Sequence, residues 1–351
     1  MGNHIIEAIR NTDKADAYLL SSVQNVAYAT DFSGDCSQLL ITANGAYFFT
    51  DFRYTEQARK EVENAEVIET GGGDRLNRIN EYLSGNAIRT LGIEKDDVTV
   101  KVFEGYQGTF EPYYSYVDIA GDLLLLRMVK TGEELAKIRK AAKANETALS
   151  ELLPFIKPGV SELDIRAELE YRMQRQGMDL AFPTIVAAGL NSALPHATPT
   201  GYKLCEGDLL TIDFGCRYQG YCSDMTRTFG IGNIDGQRKK IYDIVKHAQE
   251  SAAMAAVPGA DTLAVDAVAR DIITDSGYGK HYDHGTGHGV GRFIHELPVL
   301  NPRSSSILEE NMVYTVEPGI YVPGTGGVRI EDMHIGGQGS VYTFTKDLIL
   351  L

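Results

Sequence analysis

Two twelve-residue stretches, LCEGDLLTIDFG at 204–215 and LEENMVYTVEPG at 308–319, are variants of one pattern. Leu204 aligns with Leu308, Thr211 with Thr315 and Gly215 with Gly319, and Asp213 falls opposite Glu317. The same order recurs upstream of each: Pro158-Gly159 and Pro258-Gly259, then Leu163 and Leu263, Ala167 and Ala267, Gly177 and Gly277. Each copy reads as a turn, an amphipathic helix and a closing glycine, followed after a small shift by an apolar strand that ends in an acid. A pair of Pro-Gly turns alone would be chance; a repeat that superposes two acids is much less so. Two related αβ halves facing each other place their acids around a shared axis.

Acids inside strand-like segments need a reason, because aspartate is disfavoured in strands and buried carboxylates are rare unless paired or metal-bound. Asp213 (LLTIDFG), Asp224 (YCSDMTRTF), Glu317 (YTVEPGI) and Glu331 (GGVRIEDM) are such acids, and His288 stands in GTGHGVG. Cys222, Asp224, Thr226 and Thr228 read as one face of a strand that forms a hairpin with the Asp213 strand. Glu317 follows Thr315, and Glu331 follows Arg329, on one face each. The glycines around His288 let backbone approach a ligand closely, while their spacing fits neither a Walker loop nor a dinucleotide fingerprint. Taken singly, Asp213 or Asp224 reads equally well as a turn cap, His288 as a structural histidine, and Glu331 as an ordinary partner of Arg329. Together they are a donor set suited to two divalent ions such as Mn, Co or Zn, and so to hydrolysis by an activated water. Arg329 is then a group that orients the acids. His196, in NSALPHATPT, and His295, in HELP, are placed outside the ligand set, available to hydrogen-bond a substrate carbonyl or its developing oxyanion; the alternative is a pair of surface-loop histidines.

The chain of 351 residues carries a formal net charge of −15, and no basic stretch offers phosphate contacts, which argues against nucleic acid. Four cysteines without a CxxC pair point to a reduced, cytoplasmic setting. The opening MGNHIIEAIRNTDKADAYLL is too charged for a signal peptide, and no apolar run is long enough for a membrane span. Residues 1–125 read as an α/β unit. Strands are expected at 17–20, 38–42 and 46–50, helices near 52–63 and 74–84, and a loop at Gly71–Gly73. Asp51, Arg53 and Tyr54 form a polar cluster open to either a capped helix start or a binding role. The segment 121–130 reads as the crossover into a second unit, 126–351, whose first helix opens on a Thr131/Glu134 capping box.

With these motifs in place, the chain resembles the proline-specific peptidases of the methionine aminopeptidase-like, pita-bread family, aminopeptidase P and prolidase. The likeness covers nearly the whole chain, including DFRYTEQA at 51–58 in a creatinase-like N-terminal domain. It implies an α/β (α+β) fold in which that domain precedes a pita-bread catalytic domain with an internal pseudo-two-fold repeat. It implies that Asp213 binds one metal, His288 and Glu317 the other, and that Asp224 and Glu331 bridge both. Glu317 would help activate the bridging water, His196 and His295 would contact substrate and stabilise the tetrahedral intermediate, and Arg329 would support the ligands. It further implies peptide substrates with proline in second place, manganese as the preferred ion, and a homodimer.

Creatinase and some non-catalytic binding relatives lack these ligands, so the intact set argues against a metal-independent hydrolase or a binding module. One departure bears on substrate length. In some family dipeptidases an arginine follows His-Glu-x-Pro and binds the dipeptide carboxylate; here Val299 follows HELP. That favours an Xaa-Pro aminopeptidase acting on longer peptides over an Xaa-Pro dipeptidase. Arg292 and Phe293 also depart from the aliphatic–acid pair common in the family.

Overall fold

The computed structural model describes residues 2–71, 73–84, 88–110 and 114–351, arranged as two compact units, Met1–Arg127 and Met128–Leu351. Gly72 of the expected glycine loop lies outside the described residues.

In the first unit the strand Ala17–Leu20 pairs antiparallel with Ser37–Thr42 and parallel with Thr90–Ile93. The strands Gly45–Thr50, Glu66–Glu69 and Ser115–Asp118 complete a mixed six-stranded sheet. Alternating residues serve opposite faces: Leu39, Ile41 and Phe48 pack with Ile5, Ile9 and Val26, while Leu40 and Phe49 pack with Ile79, Leu83 and Tyr106. A sheet covered on both sides explains why its strands read as apolar runs. The expected helices settle at Thr55–Glu61 and Arg75–Ser84. Asp51 takes the backbone N–H and the guanidinium of Arg53 at 3.0 and 2.8 Å, a turn-capping use of that cluster.

The second unit is built twice. Helices Gly132–Leu152 and Glu162–Arg175 cover one apolar cluster, and helices Gly236–Ala255 and Thr262–Asp275 cover the other. The Thr131/Glu134 capping box closes the first of these helices. The two copies agree down to single hydrogen bonds: Gly159 N–H donates to Leu204 O at 2.8 Å, and Gly259 N–H donates to Leu308 O at 2.8 Å. Both glycines sit in the left-handed region, with φ of 90° and 91°, where a side chain would be strained. The first copy ends in the antiparallel sheet Ile185–Ala188, Leu209–Phe214 and Met225–Gly230. The second ends in a five-stranded sheet that carries Gly287–Gly289, Val313–Val316 and Asp332–Ile335.

The expected continuous strand through Asp224 is broken. Tyr221–Cys222 belongs to one sheet and Met225–Gly230 to another, with Asp224 in the gap. The reason lies across the hairpin: the Ser223 carbonyl crowds Gly215 so closely that a Cβ there would collide with it, and Ser223 turns its N–H and hydroxyl back onto Cys216. Thr226 and Thr228 keep a common face; Cys222 does not share it. Arg227 stitches the copies together. Its guanidinium reaches the Glu331 carbonyl at 2.6 Å, Asp332 at 2.7 Å, and the carbonyls of Phe344 and Thr345.

Candidate metal centre

Acids that are poor strand formers stand where ladders end. Asp213 is the penultimate residue of its strand, opposite Thr226 on one side and Ile185 on the other. Asp224 immediately precedes Met225–Gly230, and Glu317 immediately follows Val313–Val316. Glu331 occupies the break between Gly326–Arg329 and Asp332–Ile335, where its N–H donates to Thr226 O at 3.1 Å. Glu317 and Glu331 were expected within strands beside Thr315 and Arg329; both lie just outside. His288 is the middle residue of Gly287–Gly289, at a register shift in the pairing with Glu296–Leu300. A Cβ on Gly287 would collide with the Thr315 carbonyl, and one on Gly289 with that of Leu297. The glycines beside His288 therefore admit the protein's own strands.

The five side chains converge on one cavity of about 560 Å³. Asp224, His288 and Glu331 offer ligand atoms within 4.8 Å of one another. His288 Nε2 lies 3.3 Å from Glu317 Oε1 and 3.6 Å from Asp224 Oδ2. Its Nδ1 faces the Gly289 carbonyl at 3.0 Å; that carbonyl can only accept, so Nδ1 carries a proton and Nε2 points at the acids. Asp213 Oδ1, Asp224 Oδ1 and Glu331 Oε1 are buried and lack a hydrogen-bond partner among the described residues. Burial, and then the neighbouring acids, push Asp224 and Glu331 well above the usual carboxylate range. Burial also raises Asp213 against the pull of Arg329. Burial would raise Glu317 too, but its hydrogen bond to His288 and the imidazolium charge bring it down to about 2. Crowded acids with orphaned oxygens and an imidazole aimed among them fit divalent cations.

The surrounding groups hold the acids in place. Thr226 Oγ1 donates to Glu331 Oε2 at 2.6 Å, and Thr315 Oγ1 to Glu317 Oε1 at 3.1 Å. Arg329 contacts Asp213 at 2.6 Å, the Tyr321 hydroxyl at 2.8 Å, the Pro195 carbonyl at 3.1 Å and Thr226 Oγ1 at 3.3 Å. It thus ties one acid to the loop that bears His196. His196 and His295 line the same cavity. The His295 ring centroid stands 4.4 Å from that of His288, and burial, then the His288 charge, lower its pKa.

Sequence reasoning missed three lining or supporting groups. Thr226 was placed on a face but given no role. His284 lines the cavity and meets the Tyr321 hydroxyl at 3.0 Å; its place four residues before His288 was the available signal. Arg166 also lines the cavity from a helix that carried no signal for it.

Residues 136–335 match metallopeptidase family M24, and residues 6–129 match the creatinase/prolidase N-terminal domain. The chain is 42% identical to the uncharacterized peptidase YqhT of Bacillus subtilis, over 96% of each chain. The solved structure of an Xaa-Pro dipeptidase from Bacillus anthracis is 38% identical and superposes with a TM-score of 0.96, covering 100% of both chains. An X-Pro aminopeptidase from Thermotoga maritima is 36% identical, with a TM-score of 0.91 over 98% of this chain and 100% of that one. This chain belongs to metallopeptidase family M24 and carries the creatinase/prolidase N-terminal domain. Its second unit has the pita-bread fold, and the chain is a metallopeptidase.

Proposed function

We propose that this enzyme cleaves the bond between an N-terminal residue and a following proline. The observation that carries the reading is the convergence of Asp213, Asp224, His288, Glu317 and Glu331 on one cavity that His196 and His295 also line. Asp213, Asp224, His288, Glu317 and Glu331 would together hold two divalent ions, Asp213 serving one, His288 and Glu317 the other, and Asp224 and Glu331 both. Two such ions, Mn by preference with Co or Zn as alternatives, supply Lewis-acid polarisation and lower the pKa of a water. Glu317, its Oε1 held by the Thr315 hydroxyl, would take a proton from the attacking water. His196 and His295 donate hydrogen bonds to the oxygen that gains charge as the carbonyl becomes tetrahedral. Arg329 and Thr226 keep Asp213 and Glu331 in register while this happens.

Two substrate lengths fit this chemistry. The aminopeptidase reading, with longer Xaa-Pro-peptides, rests on Val299, which lines the cavity opposite His288 and cannot pair with a carboxylate. The dipeptidase reading has two supports: the similarity to an Xaa-Pro dipeptidase and the presence of Arg166 in the cavity wall. The test is hydrolysis of Xaa-Pro, Xaa-Pro-Xaa and an Xaa-Ala control, with Mn and after chelation, beside metal analysis of the protein. The expected result is cleavage of proline substrates only, lost with the metal. Full activity in metal-free enzyme, or equal cleavage of Xaa-Ala, overturns the proposal.

A further inference from the structure

We infer that Arg166 receives the C-terminal carboxylate of a dipeptide substrate, supplying from a helix the cation that Val299 leaves out of the strand. The inference rests on the proposed Xaa-Pro hydrolysis and adds the substrate class: short peptides whose free carboxylate reaches the cavity wall.

The cavity is lined by four acids, and a substrate carboxylate brought in beside them needs a cation to offset its desolvation. Two guanidinium groups line it, Arg166 and Arg329. Arg329 is committed to Asp213, Tyr321, Pro195 and Thr226. Arg166, half-buried on the helix Glu162–Arg175, makes no hydrogen bond or ion pair among the described residues. Its sequence neighbours do not account for it. Glu162, one turn earlier and at the spacing that ordinarily forms a helical ion pair, is occupied. Its carboxylate accepts from Ala188 N at 2.7 Å, Asn191 Nδ2 at 3.0 Å, Thr200 N at 2.8 Å and Thr200 Oγ1 at 2.7 Å. Those bonds pin the loop bearing His196, Thr198 and Pro199, which lines the cavity together with Arg166.

The internal repeat sharpens the point. The position of Arg166 in the first copy corresponds to Asp266 in the second. Asp266 is buried and fully used, holding Thr286 N and Oγ1 and pairing with Arg270. One copy thus spends this position on internal structure, while the other presents to the cavity a cation with no partner among the described residues. A guanidinium suits a planar carboxylate, which it can grip with two parallel hydrogen bonds.

The experiment compares kcat/KM for Ala-Pro and Ala-Pro-amide on Mn-loaded wild type, Arg166→Gln and Arg166→Lys. The expected result is a fall of about 10- to 100-fold in the dipeptide-to-amide ratio for Arg166→Gln, carried by KM, with partial recovery in Arg166→Lys. An unchanged ratio overturns the inference. Wild type that cleaves neither peptide defeats the proposed Xaa-Pro activity instead, and binding then decides on Arg166 separately. Calorimetry with free L-proline and L-prolinamide should show a preference for proline in wild type that Arg166→Gln loses; equal affinities in wild type overturn the anchor.

Discussion

Thr226 shows how much of this centre depends on residues that bind no metal. Its hydroxyl donates to Glu331, its backbone carbonyl takes the Glu331 N–H, and it faces Asp213 across the ladder. Thr226→Val keeps the shape and removes the donor. Metal affinity should fall by about 10- to 100-fold, as for other groups that orient ligands, and titration of metal-free protein with Mn measures it. The two cavity histidines should behave differently. His196→Ala and His295→Ala are expected to keep full metal content and to lose about 10²- to 10³-fold in kcat. Metal loss in either variant would make that histidine a ligand. The residue scale is also where the sequence was most legible: Asp213, Asp224, His288 and Glu331 each have an ordinary structural reading alone, and the set of five with Glu317 points to metal. Thr226 and Arg166 were not legible in the same way, because a threonine on a strand and an arginine on a helix are unremarkable until their partners are known.

At the scale of elements, the site is made by strand ends brought together. Asp224, Glu317 and Glu331 occupy breaks between strands, whereas Asp213 stays in its ladder and is partnered there by Arg329. Arg227 holds two of those ends in place, with its guanidinium on the Glu331 carbonyl and on Asp332. Arg227→Ala leaves Asp332 with Lys346 and the Ser340 hydroxyl, and removes a donor from four backbone carbonyls, of which that of Thr226 keeps the Glu331 N–H. Urea unfolding should show a loss of about 3–5 kcal/mol, the usual cost of breaking a buried pair. A loss under about 1 kcal/mol would mean the strand ends are held by packing alone. Helix starts and the repeat were readable from Thr131/Glu134 and from the paired Pro-Gly turns, since capping and left-handed turns are local chemistry. The break at Asp224 was not, because it follows from the Ser223 carbonyl pressing on Gly215, a contact across the hairpin.

For the molecule as a whole, the acid cluster links stability to both pH and metal. Asp224 and Glu331 titrate well above the ordinary carboxylate range in the folded, metal-free protein, so it holds protons that the unfolded chain releases. Their contribution to stability is therefore fullest below the unfolded carboxylate pKa of about 4 and declines as pH rises towards the folded values. Glu317, held down at about 2, acts oppositely, and its contribution is lost as pH falls below the usual value. Metal competes with the bound protons and removes the repulsion. The Tm gain on adding Mn to chelated protein should thus grow between pH 5 and pH 8, with about 2.7 kcal/mol expected at a hundredfold excess over Kd. A gain that is flat with pH would separate the cluster from metal binding.

By itself, the sequence determined the doubled architecture of the second unit and the N-terminal domain, and it singled out the five residues proposed as ligands. Those features are written in local propensities, in residue type and in a spacing that repeats. Tertiary structure alone decided which acids lose their hydrogen-bond partners, which threonine and arginine hold them, and that a cation on the helix Glu162–Arg175 lines the same cavity as His288. The physical reason is that burial, orphaned oxygens and an uncommitted guanidinium are properties of surroundings assembled from residues more than a hundred positions apart, as Asp213 and Arg329 are.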